Sequence, residues 1–223
     1  TVTIDPGIYV EAGPAQTVCA SSPNVTLAGN VYGGTTSDGT WSSDGSGTFS
    51  DITSFTSGYN PSPADTVDGS IILTLTSTGN GLCNPVTDVM VLTINPGIFV
   101  NAGAGQTVCA NNPNAVLSGG VFNGTTTGSW SSAGGGSFNP NNTTLGATYV
   151  PNAADTAAGT ATLTLTSTNN GACTAVSQNT IITITDAPFI NTISDATVCG
   201  NNANVSITAV DNNVASAWLW SNG

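Results

Sequence analysis

The sequence predicts an all-β fold, a tandem array of antiparallel β-sandwiches of about 90 residues each. Three observations carry this. Cys19, Cys109 and Cys199 are spaced at 90 residues, as are Cys83 and Cys173, so one unit recurs along the 223-residue chain. Residues 70–77 alternate apolar and hydroxyl side chains with a period of two, the pattern of a strand with one buried face, and residues 89–94 do likewise. Short β-prone runs are separated by clusters of Gly, Pro, Asn and Asp that signal turns, and no stretch carries helical periodicity. Six or seven short strands in that length suit an immunoglobulin-like sandwich of two packed sheets. A β-solenoid would repeat at a much shorter period.

Taken in order, residues 1–5 match the end of a unit, as in Leu92-Thr93-Ile94 and Ile182-Thr183-Ile184, and are read as the tail of a preceding repeat. Residues 6–95 form the first repeat, 96–186 the second and 187–223 the start of a third, so the polypeptide is expected to be part of a longer one. In the first repeat, strand-prone runs at residues 8–10, 25–27, 40–43 and 49–59 lead to a hairpin of residues 70–77 and 89–94. The copies match closely. Gln16-Thr17-Val18-Cys19 returns as Gln106-Thr107-Val108-Cys109, and Trp41-Ser42-Ser43 as Trp130-Ser131-Ser132 and Trp220-Ser221-Asn222. Tyr59, Pro61, Ala64-Asp65-Thr66 and the run from Leu73 to Thr78 return as Tyr149, Pro151, Ala154-Asp155-Thr156 and the run from Leu163 to Thr168.

Composition removes whole classes of function. There is no Lys, Arg or His, and the 12 acidic residues give a formal charge of −12. Nucleic-acid binding needs cations that neutralise phosphates, and a polybasic membrane contact needs the same side chains. Without His, Ser-His and Cys-His nucleophile pairs are impossible, and the repeats share no carboxylate pair for glycoside hydrolysis, so no enzyme activity is expected. An isopeptide cross-link would consume a Lys that the chain lacks. No run is long and apolar enough to cross a bilayer.

Two cysteines per repeat at fixed positions predict an internal disulfide in each, Cys19 with Cys83 and Cys109 with Cys173, with Cys199 paired beyond the segment. Counting four strand crossings between Cys19 and Cys83 places both at one end of the sandwich. Each bond would stabilise its repeat by about 4 kcal/mol and implies an extracytoplasmic compartment. Trp41, Trp130 and Trp220 recur after a Gly-rich turn and are read as core aromatics, with a sugar-stacking platform as the rival. Asp65 and Asp155, the one acid common to both complete repeats, are expected to bond turn backbone, with a weak calcium site as the lesser alternative and no cofactor otherwise.

The pattern Trp-Ser-Ser, Tyr-x-Pro, Asp-Thr, Gly, Leu-Thr-Leu-Thr-Ser-Thr, Cys, then Thr-Ile and a Pro-Gly junction resembles the tandem PKD-like or Ig-like repeats of very large cell-surface adhesins of Bacteroidota, the SprB-like gliding-motility adhesins among them. The resemblance implies type IX secretion and display as an outer-membrane-associated filament. Such a stalk would contact neighbouring repeats of its own chain and a surface polysaccharide or the substratum. It also implies O-glycosylation at Thr66 and Thr156, which follow Asp and precede a small aliphatic residue. The expected role is therefore a stiff adhesin stalk, stiffened by the short Asn95-Pro96-Gly97 junction. The alternative is a spacer or carbohydrate-binding region of a large secreted hydrolase.

Overall fold

The computed structural model describes residues 7–34 and 37–188; Cys199 and Trp220 lie outside the described residues. The chain divides into two compact units. Of the described residues, the first holds those through Val100 with Val121–Gly128 and Thr166–Ser177; the second holds Asn101–Gly120, Ser129–Leu165 and those from Gln178.

The first repeat contains β1 (Ile8–Glu11), β2 (Gln16–Cys19), β3 (Val25–Thr26), β4 (Asn30–Gly33), β5 (Asp38–Ser43), β6 (Thr48–Phe49), β7 (Gly58–Asn60), α1 (Pro63–Asp68), β8 (Ser70–Thr78) and β9 (Thr87–Asn95). They build a four-stranded sheet ordered β2-β9-β8-β5, a three-stranded sheet β3-β7-β6 and a ribbon β1-β4. The alternation of β8 and β9 sends Ile71, Leu73, Leu75, Met90, Leu92 and Ile94 inward. Their register sets Ile71 opposite Leu92 and Leu73 opposite Met90. Val25, Leu27, Val31, Trp41 and Tyr59 complete one core that draws on all three sheets. Each fully buried aliphatic side chain contributes roughly 1.5–3 kcal/mol, so this hairpin supplies much of the driving force.

The second repeat reproduces the pattern with β10 (Ile98–Asn101), β11 (Gln106–Cys109), β12 (Ala115–Val116), β13 (Gly120–Asn123), β14 (Thr127–Ser132), β15 (Ser137–Asn139), β16 (Thr148–Val150), α2 (Ala153–Ala158), β17 (Thr160–Thr168) and β18 (Ser177–Thr185). Its sheets are β11-β18-β17-β14, β12-β16-β15 and β10-β13. Both four-stranded sheets contain a parallel pairing, β2 with β9 and β11 with β18.

Three features differ from the sequence expectation. The run at residues 49–59 is two short strands, β6 and β7, because Asp51 Oδ1 accepts from Thr53 N (2.8 Å) and Thr53 Oγ1 (2.7 Å) and turns the chain. The strands β2 and β4, too short to show a period, were not among the expected runs. The Asp-Thr turns are helices of six residues, too brief for periodicity to register. Each starts with a capping box, Ser62 with Asp65 and Asn152 with Asp155, and stops at a glycine whose left-handed φ suits the C-cap, 75° at Gly69 and 69° at Gly159.

Asp65 also anchors α1 to the sandwich. Its Oδ1 accepts from Ser46 N (2.8 Å) and its Oδ2 from Ser62 N (2.8 Å) and the Tyr59 hydroxyl (3.2 Å). Burial alone pushes this carboxyl up, but the donors from Ser46, Ser62 and Tyr59 together outweigh it and hold the group below the usual range. In the second repeat Asp155 Oδ2 accepts from the Tyr149 hydroxyl (2.6 Å) and Asn152 N (3.1 Å). Burial and then the bond to Asp155 push the Tyr149 hydroxyl up to about 12. These shifts fix the pH limits. Asp65, depressed in the folded state, contributes stability that is present above its unfolded value of about 3.9 and is lost as pH falls through the lower folded value. Tyr149, raised in the folded state, contributes stability that is complete below pH 10.0 and is lost as pH rises through about 12. Denaturant midpoints measured across pH are therefore expected to fall below about 4 and above about 10. Asp65→Asn should flatten the acid limb and Tyr149→Phe the alkaline one; unchanged limbs would refute the assignment.

Candidate functional site: the cysteine ends of the repeats

The four described cysteines occupy two kinds of backbone position. Cys19 and Cys109 close β2 and β11. At each, the cysteine carbonyl accepts from the amide three residues on, Ser22 N at 2.9 Å and Asn112 N at 2.8 Å. The next amide donates to the final strand, Ala20 N to Asn95 O and Ala110 N to Thr185 O, both 2.8 Å. Cys83 and Cys173 sit in the loops of the β8–β9 and β17–β18 hairpins, where Cys83 N donates to Asn80 O and Cys173 N to Asn170 O, both 3.0 Å. Those loops are held alike, with Val86 N on Ser77 Oγ and Val176 N on Ser167 Oγ, both 2.9 Å.

The structure joins Cys19 to Cys173, with 4.9 Å between their Cα atoms. Cys83 and Cys109 are not disulfide-bonded. This pairing differs from the expected Cys19–Cys83 and Cys109–Cys173, and the reason is geometric. Because β2 runs parallel to β9, Cys19 lies opposite Asn95 at the far end of β9. Cys83 precedes the start of the same nine-residue strand. At ~3.3 Å per residue the two are separated by roughly 30 Å, far beyond the Cα spacing of about 7 Å that a disulfide tolerates. The same holds for Cys109, opposite Thr185, and Cys173, ahead of Ser177. The crossing count failed because β3, β4, β6 and β7 are only two to four residues long and do not run the length of the sandwich, so the number of strands between the two cysteines does not fix the end at which each lies.

The bond belongs to the first compact unit, which includes both residues. Cys19 and Cys173 are 5% and 8% exposed. The Ser21 hydroxyl donates to Cys19 Sγ at 3.2 Å, and Cys173 Sγ lies 3.5 Å from Pro96 O. Gly171 brings the hairpin tip close: its φ is +58°, and a Cβ there would stand 2.9 Å from Asn95 Nδ2.

The other residues singled out by sequence fall elsewhere. Trp41 and Trp130 are 3% and 1% exposed, and their indole nitrogens donate to Ser54 O (3.2 Å) and Leu145 O (3.1 Å), so neither ring is open to a sugar. Exposed aromatic rings instead pair across the ribbons, Tyr9 with Tyr32 and Phe99 with Phe122. Both Asp65 oxygens face hydrogen-bond donors, and the described residues contain no group of three potential metal ligands. The Thr66 and Thr156 hydroxyls, half-buried on the helices, donate to Pro63 O (2.7 Å) and Asn152 O (3.0 Å).

No family model and no curated protein matches this sequence. Solved structures do match. Extracellular domains 3–5 of Drosophila OTK superpose with a TM-score of 0.50 at 8% identity, covering 79% of this chain and 62% of that one, so this chain spans less than two thirds of that fragment. The three-Ig structure of titin domains I67–I69, in a Glu-to-Ala variant, superposes at 0.51 with 11% identity, covering 86% and 70%. The fold is that of tandem Ig-like β-sandwiches.

Proposed function

We propose that this chain is a non-enzymatic structural segment of an extracellular adhesin stalk, in which Ig-like repeats supply reach and resistance to unfolding. The observation that carries the reading is the Cys19–Cys173 bond, which ties the end of β2 in the first repeat to the last hairpin of the second. A bond of this kind persists in an oxidising compartment. Among the described residues no helix is long and apolar enough to cross a membrane. Small-angle scattering of the oxidised chain should give an elongated particle with a narrow distribution of shapes, broadening after reduction. A broad distribution in the oxidised chain would contradict a stalk.

The finer assignment is a SprB-like gliding adhesin of Bacteroidota, exported by type IX secretion and displayed as an outer-membrane-associated filament against polysaccharide or the substratum. It is supported by the repeated sequence pattern. In that setting Thr66 and Thr156 carry O-glycans, which would hydrate a surface where charged residues are 5% of the chain. Peptide mapping of natively produced protein should find hexose-type additions on these two threonines; unmodified peptides at near-full occupancy would end that assignment.

A further inference from the structure

We infer that Cys83 and Cys109 are the two open halves of the junction that Cys19 and Cys173 close, and that each forms a disulfide with a flanking repeat of the same kind. Every repeat would then be bonded to two neighbours through its two cysteines and never to itself. The proposal builds on the stalk reading and names the partner of its cysteines.

Two independent observations point to it. The first is the bonded pair itself: Cys109 is the second repeat's counterpart of Cys19, and Cys83 is the first repeat's counterpart of Cys173. The open pair therefore comprises one cysteine of each kind, the composition of the closed pair. The second is that both open halves repeat the backbone hydrogen bonds of the closed one: Asn112 N donates to Cys109 O and Ala110 N to Thr185 O, as Ser22 N does to Cys19 O and Ala20 N to Asn95 O. The Cys109 thiol lies 3.7 Å from Asp186 O, and residue 186 is the counterpart of Pro96, whose carbonyl lies 3.5 Å from the bonded Cys173 sulfur. The carbonyl that faces the incoming hairpin-tip sulfur at the closed junction thus faces the Cys109 thiol at the open one. At the other open end, Gly81 takes a φ of 60°, against 58° at Gly171, and the loop bonds around Cys83 repeat those around Cys173. Cys83 and Cys109 are not each other's partners in this fold, and neither can reach the second cysteine of its own repeat, for the reason of strand length given above. What fits is a repeat presenting the complementary cysteine: a hairpin-tip cysteine for Cys109, and a β2-end cysteine for Cys83.

The chemistry balances with an external low-molecular-weight disulfide as oxidant. A cysteine thiolate attacks it and releases one small thiol. The partner thiolate then displaces the second small thiol from the mixed disulfide, so one protein S–S bond forms, the external S–S bond is reduced, and the two cysteine protons end on the two released thiols.

The test uses the full chain lengthened in two ways and refolded in a buffer of oxidised and reduced glutathione. In one, a copy of residues 134–186 follows Gly223 and completes a third repeat with a hairpin-tip cysteine. In the other, a copy of residues 6–90 whose counterpart of Cys83 is replaced by Ser precedes Thr1 and supplies a single β2-end cysteine. After free thiols are alkylated, the first chain should show Cys109 bonded to the added cysteine with Cys83 still alkylated. The second should show Cys83 bonded to the added cysteine with Cys109 still alkylated. Replacing the added cysteine with Ser should restore full alkylation of Cys109 or Cys83. Either target cysteine fully alkylated in a chain that retains Cys19–Cys173, or bonded within its own repeat, overturns the proposal and leaves the stalk reading standing. Loss of Cys19–Cys173 in both chains overturns the proposal and the stalk reading together.

Discussion

Replacing Cys173 with Ser is expected to lower the stability of the first compact unit by about 5 kcal/mol. Cys19 and Cys173 are 154 residues apart, and closing a loop of that length removes a large share of the unfolded chain's conformational freedom. The native state also loses a connection in a buried place, since both cysteines are nearly inaccessible to water. Cys83→Ser is the informative control. If Cys83 were bonded to Cys19, its replacement would cost almost as much; as an unpaired thiol its replacement should change stability by less than about 0.5 kcal/mol. Guanidinium unfolding of both variants without reductant checks this, and a loss in Cys83→Ser as large as that in Cys173→Ser would reverse the assignment.

Trp41→Ala is expected to cost about 3–5 kcal/mol, in the range for emptying an aromatic site in a packed core. The ring sits against a position where no side chain fits: a Cβ on Gly29 would come within 2.5 Å of Trp41 Cζ2 and 2.8 Å of Leu75 Cδ2. Truncation therefore leaves a cavity between β5 and the chain before β4, and it strands Ser54 O, which accepts the indole N–H. Trp130→Ala should cost as much in the second unit, where Gly119 approaches its ring and Leu145 O accepts its N–H. Thermal unfolding checks both. A loss under about 1 kcal/mol, with the ring free to be quenched by added sugar, would favour the stacking role over the core role.

Much of this fold is legible in the sequence because it rests on strong local signals. The alternation of β8 and β9 needs no tertiary information, and the 90-residue spacing of the cysteines makes the repeat visible without an alignment. Helices α1 and α2 carried a signal too, since Ser62 and Asp65, like Asn152 and Asp155, stand at capping-box spacing; a six-residue helix offers no period to support it. The disulfide was not legible. Two cysteine positions repeating in step are equally compatible with pairing inside each repeat and pairing from one repeat to the next. What decides between them is the end of the sandwich on which each cysteine lies. That depends on the parallel pairing of β2 with β9, a contact between residues more than seventy apart. The repeated placement of Asp65 and Asp155 was visible, but their partners Ser46, Tyr59 and Tyr149 emerge only once the sheets are packed.

The central claim is the disulfide that links the repeats, and mass spectrometry tests it most directly. The oxidised chain is alkylated without reduction and digested with pepsin, since trypsin finds no Lys or Arg to cut at. The structure predicts one linked peptide pair containing Cys19 and Cys173, with Cys83 and Cys109 carrying the alkyl group. Linked pairs of Cys19 with Cys83 and Cys109 with Cys173 would contradict it.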